Sequence, residues 1–191
     1  VTEELYRWDQ PGVPHKGWTA EHVEDHDEPF FQCEMCGYPA VRFVHVMTHP
    51  DCPGELRVGC VCAGKMEENY EAARDRERRA RAKAQRRQRL AERHDRARRL
   101  WVQPGQWRIS DKGNFWRWAG GVRVTVFRSE YPPCAWRAWI DDELGRPHYP
   151  SVQAAMFAVF DHLFPREHVQ PRVKLPGERG YDGQRGLAGV R

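Results

Sequence analysis

The sequence predicts an α+β protein in which a small cysteine-rich module leads through a long Arg-rich helix into a small antiparallel sheet packed on one helix. Five of the six cysteines fall between Cys33 and Met66, in a stretch whose Val-rich and Pro-Gly segments predict a hairpin. Residues 74–99 carry thirteen Arg or Lys against four Asp or Glu, a net +9, with no proline to break a helix. Val152, Ala155, Met156, Val159, Phe160 and Leu163 recur at helical spacing behind four segments of strand-like pattern.

The elements divide the 191 residues into five parts. Residues 1–30 hold eight acids against Arg7 and Lys16, with Pro11, Gly12, Pro14 and Gly17, and predict an irregular acidic leader. The first ten residues, VTEELYRWDQ, have neither a basic nor an apolar region, and no run of about 18 apolar residues follows. The expected compartment is therefore the cytoplasm, where thiols stay reduced and clustered cysteines serve as metal ligands.

Residues 31–66 form the cysteine module. AVRFVHVMTH reads as a strand, His49-Pro50 and Pro53-Gly54 as a turn, and Glu55 to Gly59 as the returning strand. A helix is expected to begin at or just after Cys62 and to run as a basic linker over 67–101. Its heptad line, Ala73, Glu77, Ala80, Ala84, Arg87, Ala91, His94 and Arg98, lacks the apolar residues of a coiled coil. Acid-first pairs, Asp75–Arg79, Glu77–Arg81, Glu92–Arg96 and Asp95–Arg99, suit a solvated rod.

Residues 102–164 predict the second domain. Trp107-Arg-Ile-Ser, Phe115–Ala119, Val122–Arg128 and Ala135–Asp141 read as strands, and Ser151 caps the helix. Val122, Val124 and Val126 share one face, as do Trp136, Ala138 and Ile140. Arg123, Thr125, Phe127, Arg137 and Trp139 fall on the other. Residues 165–191, with three prolines and five glycines, predict a disordered tail.

Cys33-x-x-Cys36-Gly37 is a zinc knuckle, in which two thiolates share one tetrahedral ion and Gly permits the turn behind them. Cys60-x-Cys62 lies at the start of a helix, whose free N–H groups favour thiolate charge. A structural Zn2+ held by Cys33, Cys36, Cys60 and Cys62 is the expectation. His45 and His49 lie four apart on a strand, about 13 Å by its rise, and cannot chelate one ion together. One ring is expected in the hairpin packing and one at its solvent end, while His49-x-x-Cys52 has ligand spacing of its own.

The order of knuckle, hairpin and helix resembles a treble-clef zinc finger, although that family carries C-x-x-C where this chain has Cys60-x-Cys62. HNH nucleases share this architecture. The resemblance implies a general-base role for His45 or His49, and Asn69 is the one match to that family's helix ligand. The stretch Cys33-x-x-Cys36-Gly37, Arg42-Phe43-Val44-His45 and Gly59-Cys60-x-Cys62-Ala63 is also similar to an uncharacterised bacterial protein group. Lys112-Gly113-Asn114 and Val124-Thr125-Val126-Phe127 extend that likeness, which implies no activity. The sheet-plus-helix pattern resembles the DNA-binding domains at integrase N-termini in outline.

The expected function is nucleic-acid binding, to DNA or RNA, through phosphate contacts by Arg74, Arg78, Arg79, Arg81, Lys83, Arg86, Arg87 and Arg89. Arg42, Arg123 and Arg137 are further candidates. The charge is confined to one helix without an apolar face, which excludes a membrane-surface helix. A metal-dependent nuclease using His45 or His49, and an adaptor binding a protein through the Trp-rich sheet, are the alternatives.

Overall fold

A computed structural model describes residues 7–130, 135–141, 143–145, 147–166 and 174–181. The protein is α+β, with two antiparallel sheets, and divides into two compact units, Val1–Arg87 and Gln88–Arg191. Among the described residues no helix is long and apolar enough to cross a membrane.

The first unit is built on a three-stranded sheet of order β1-β2-β3, with β1 Thr19–Asp25, β2 Phe43–His49 and β3 Cys52–Val58. β2 is the central strand and is buried on both faces from Phe43 to Met47, which explains its near-continuous apolar run. β1 corrects the expectation of an irregular leader. Thr19–Asp25 offers only Ala20 and Val23 as apolar residues, because it is an edge strand with one open side, where Glu21 and His22 are exposed. Its end is tied down by charge: Arg42 Nε donates to Asp25 at 2.9 Å, and Arg87 reaches Asp25 at 3.0 Å and Asp27 at 2.7 Å.

The single helix expected after Cys62 is two. α1 spans Cys60–Met66 and α2 spans Tyr70–Trp101. Glu68 sits at φ 55°, in the left-handed region, and ends the first helix. Asn69 then starts the second, its Oδ1 accepting the Ala72 N–H at 3.0 Å. Gly64 permits the corner, since a Cβ there would stand 3.0 Å from the Tyr70 ring and 3.1 Å from its Cα. Ala73 and Ala84 of α2 are buried in this unit. Of the heptad line that cannot make a coiled coil, Ala73, Ala84 and His94 are buried and Arg87 stays exposed, so the helix is packed in part and solvated in part. Of the four expected acid-first pairs only Glu77–Arg81 forms, at 2.7 Å. Asp75 pairs with Arg78, Glu92 accepts from Gln88 at 2.9 Å, and Asp95 pairs with Arg166.

The second unit carries a meander in the order β4-β5-β6-β7-β8: Arg108–Ile109, Phe115–Ala119, Val122–Arg128, Trp136–Ile140 and Glu143–Leu144. Helix α3, Val152–Leu163, covers one face and is capped by Ser151, whose Oγ accepts the Ala154 N–H at 3.1 Å. Val124, Val126, Ala138, Ala155, Val159 and Phe160 form the core as the alternation predicts, and the last turns of α2 add Ala97 and Trp101. Buried indoles satisfy their donors: Trp101 Nε1 donates to Met156 O at 2.7 Å and Trp107 Nε1 to Trp101 O at 2.6 Å. Part of the expected tail is ordered, because Leu175 is fully buried and Glu178 accepts from Arg93 Nη2 at 2.8 Å. The rest of that tail expectation, 167–173 and 182–191, lies outside the described residues, as does Cys134.

Candidate metal centre

The knuckle folds as its spacing predicts. Gly37, at φ 72°, turns the chain so that its N–H donates to Cys33 O at 2.7 Å, while Cys33 N–H donates to Tyr38 O at 2.8 Å. This brings the Cys33 and Cys36 thiols side by side. Cys62, in the first turn of α1, completes a group of three sulfurs that all lie within 4.8 Å of one another. The described cysteines are all free thiols, so no disulfide competes for them.

The surroundings favour anionic sulfur. Cys33 is buried, and its Sγ accepts the Gly59 N–H at 3.4 Å, at the point where β3 hands over to α1. A hydrogen bond from Cys62 holds Cys33 well below the usual thiol range, and burial opposes it less strongly. The same bond, with burial, pushes Cys62 up, while the Trp8 indole N–H works the other way. Three sulfurs on rigid elements, with the Cys33 thiol held below its usual range, fit a soft or borderline divalent ion. Cys33, Cys36 and Cys62 therefore could hold a metal ion.

Cys60 does not join them. α1 includes Cys60 as its first residue, and positions two apart on a helix point about 200° apart. The two thiols of the C-x-C pair therefore diverge, and of the four expected cysteines three come together. Cys60 instead turns toward His45 on β2 and Glu77 on α2, and those three ligand atoms also lie within 4.8 Å of one another. Burial raises the Cys60 thiol to about 11, with the Glu77 carboxylate adding to the rise. Burial, and then the Arg76 charge, push the His45 imidazole down to about 4. The sequence marks Glu77 as a partner of Arg81 and not as a ligand; Cys60 and Glu77 are far apart in the chain, and the α1–α2 corner brings them together.

The histidines divide as the strand geometry predicts. His45 is wholly enclosed, which removes it from the solvent-facing general-base role that the nuclease likeness implies. His49 is half-buried against Trp18, with ring centroids 5.2 Å apart, and its Nδ1 accepts the Asp51 N–H at 3.0 Å. His49 faces Cys52 in the β2–β3 register, but neither belongs to a ligand cluster among the described residues. Asn69, the match to the nuclease helix ligand, has its side-chain oxygen committed to the α2 cap.

The candidate phosphate contacts fall into two groups. Arg42, Arg78, Arg81 and Arg87 hold intramolecular acids, and Arg137 Nη2 donates to Gly145 O at 3.1 Å. Arg74, Arg79, Lys83, Arg86 and Arg89 are exposed and carry no acidic partner among the described residues; Arg74 lies 5.6 Å over the Tyr70 ring. Arg123 is exposed on the outer sheet face, 5.0 Å over the Trp116 ring.

No protein-family model, curated protein or solved structure matches this chain.

Proposed function

We propose that the protein is a zinc-stabilised nucleic-acid-binding protein that grips phosphates with the Arg-rich helix α2. The observation that carries this reading is the row Arg79, Lys83 and Arg86. They sit at i, i+4 and i+7, so they share one face and span about 10 Å along the axis. That face points away from the buried Ala73 and Ala84, and its three cations have no acid to neutralise them among the described residues. Neighbouring arginines that do meet acids are spent on the fold. Clustered unpaired cations on a rigid element are what a phosphate backbone recognises.

The order of knuckle, hairpin and helix supports reading the metal module as a treble-clef variant with a three-sulfur ion site. Its zinc would be structural, fixing the knuckle to the start of α1. The outer face of the second sheet supports an auxiliary role. Arg108 and Arg123 lie over Trp116, and Trp118 and Trp139 are 45% and 42% exposed, a surface on which unpaired bases can stack.

The test is a titration with duplex DNA, single-stranded DNA and RNA across a salt series, on the wild type and an Arg79→Ala, Lys83→Ala, Arg86→Ala variant. Each phosphate contact removed should flatten the log–log salt slope on duplex DNA by roughly 0.9, so the triple variant should lose about two to three. No binding at low salt, or a triple variant that keeps the wild-type slope, would overturn the reading and direct the Trp-rich face to a protein partner.

A further inference from the structure

The first unit contains a polar cluster that the three-sulfur site leaves unexplained. His45 has no exposed surface, yet neither ring nitrogen has a hydrogen-bond partner. Buried side-chain nitrogens are nearly always satisfied, because an unmatched one costs the full loss of its hydration. A neutral imidazole can satisfy one nitrogen by donating and the other by accepting; His45 does neither. Cys60 and Glu77 face it, their ligand atoms lying within 4.8 Å of its own and of each other, while the neighbouring Arg76, whose charge also bears on the ring, is held by Glu67. A thiol hydrogen bond from Cys60 to Glu77 would satisfy those two and still leave the imidazole with nothing.

We infer that His45, Cys60 and Glu77 form a second metal site, for a divalent ion of the zinc class. One nitrogen, one sulfur and one carboxylate oxygen are the donor types that such borderline ions take. A thiolate and a carboxylate balance a 2+ charge, and the imidazole is the neutral ligand. Atoms around a tetrahedral zinc stand about 3.5 Å apart, so closing the cluster takes side-chain adjustments of about 1 Å. The ligands come from three elements: the central strand β2, the first turn of α1 and α2. An ion there would bolt the α1–α2 corner onto the sheet. Arg81, donating to Glu77 at 2.7 Å, is the outer partner that orients the carboxylate. Three protein ligands leave a fourth position that a water molecule would fill.

Cys60 and Cys62 thus serve different ions from one turn of helix. The site does not depend on nucleic-acid binding, and its test is a metal count. The full chain, stripped and reloaded with Zn2+ or Co2+, should hold one more equivalent in the wild type than in Glu77→Ala or Cys60→Ser, with far-UV circular dichroism unchanged. In the cobalt form, Cys60→Ser should also remove the charge-transfer absorption of one thiolate. Glu77 lies at a half-exposed helix position, so Glu77→Ala decides the matter even if Cys60→Ser or a His45 variant fails to fold. Equal metal content in the wild type and Glu77→Ala would overturn the site. So would a loss in Cys60→Ser that Glu77→Ala does not share, because Cys60 would then be serving the ion of Cys33, Cys36 and Cys62.

Discussion

One intervening residue, Val61, decides what the thiols of Cys60 and Cys62 can reach. It is 55% exposed, which leaves the cysteines on either side of it to turn inward in different directions. The spacing was visible in the sequence as a departure from C-x-x-C, but its consequence was not, because it depends on Cys60 already being helical. Cys33→Ser should abolish metal binding at the three-sulfur site and unfold the first unit, as structural zinc supplies about 10–16 kcal/mol in finger peptides. Metal analysis with circular dichroism checks this; a Cys33→Ser protein that is metal-free and folded would show the site to be dispensable. A second residue-scale prediction concerns Glu178. The hydrogen bond from Arg93 holds its carboxyl below the ordinary range, against the opposing effect of burial. A depressed carboxyl contributes stability above its unfolded pKa and loses it as pH falls through the folded one. Glu178→Gln should therefore cost about 1 kcal/mol near neutrality, allowing for the pair's partial exposure, and nothing once the wild-type carboxyl is protonated. Urea titrations of the two proteins at neutral and strongly acidic pH would test the sign.

At the scale of elements, the strongly patterned segments and the long basic helix were legible, whereas a polar edge strand and a break between two helices were not. β2, β6, β7 and α3 lie where their alternation or helical spacing puts them, because burial drives both the pattern and the fold. β1 was hidden because an edge strand can be polar on its open side, and its partner supplies the hydrogen bonds that its own side chains do not advertise. The break between α1 and α2 was hidden for another reason. Glu67, Glu68 and Asn69 are tolerable in a helix, and the turn becomes favourable only when Asn69 caps the next one. Asn69→Ala should thus destabilise the first unit by about 1 kcal/mol without altering the metal content. Thermal unfolding with a parallel metal count would separate that loss from a ligand effect. The candidate phosphate row was legible as charge but not as a selection. Which arginines remain available depends on Asp25, Asp27, Asp75 and Glu77, and only the folded positions of those acids sort them.

For the molecule as a whole, the two units have separate cores of different character. One gathers Met35, Met47 and Met66 with the candidate ligands Cys33 and Cys62, whereas the other is an apolar core that includes Trp101 and Phe160. Chelation should accordingly act on one unit and spare the other. A calorimetric scan is expected to show two transitions, of which only one falls on metal removal and recovers on zinc addition. A single transition that moves as a whole would mean that the cores unfold together. The middle of each core was readable from hydrophobic pattern, but the contributions of Trp18, Ala73, Trp101 and Leu175 from outside the expected modules were not, since single apolar residues among polar ones carry no period.

The meander of the second unit has one more consequence. Arg108, Trp116, Thr125, Trp139 and Leu144 stand in register across all five strands of its outer face, and a sheet with so much tryptophan exposed would ordinarily invite self-association. Its two edge strands, β4 and β8, are only two residues long. Among the described residues a neighbouring chain finds no long edge strand to extend at either side of this sheet, which works against sideways pairing from molecule to molecule. The short edges thus guard the tryptophan-bearing sheet against becoming a template for strand pairing.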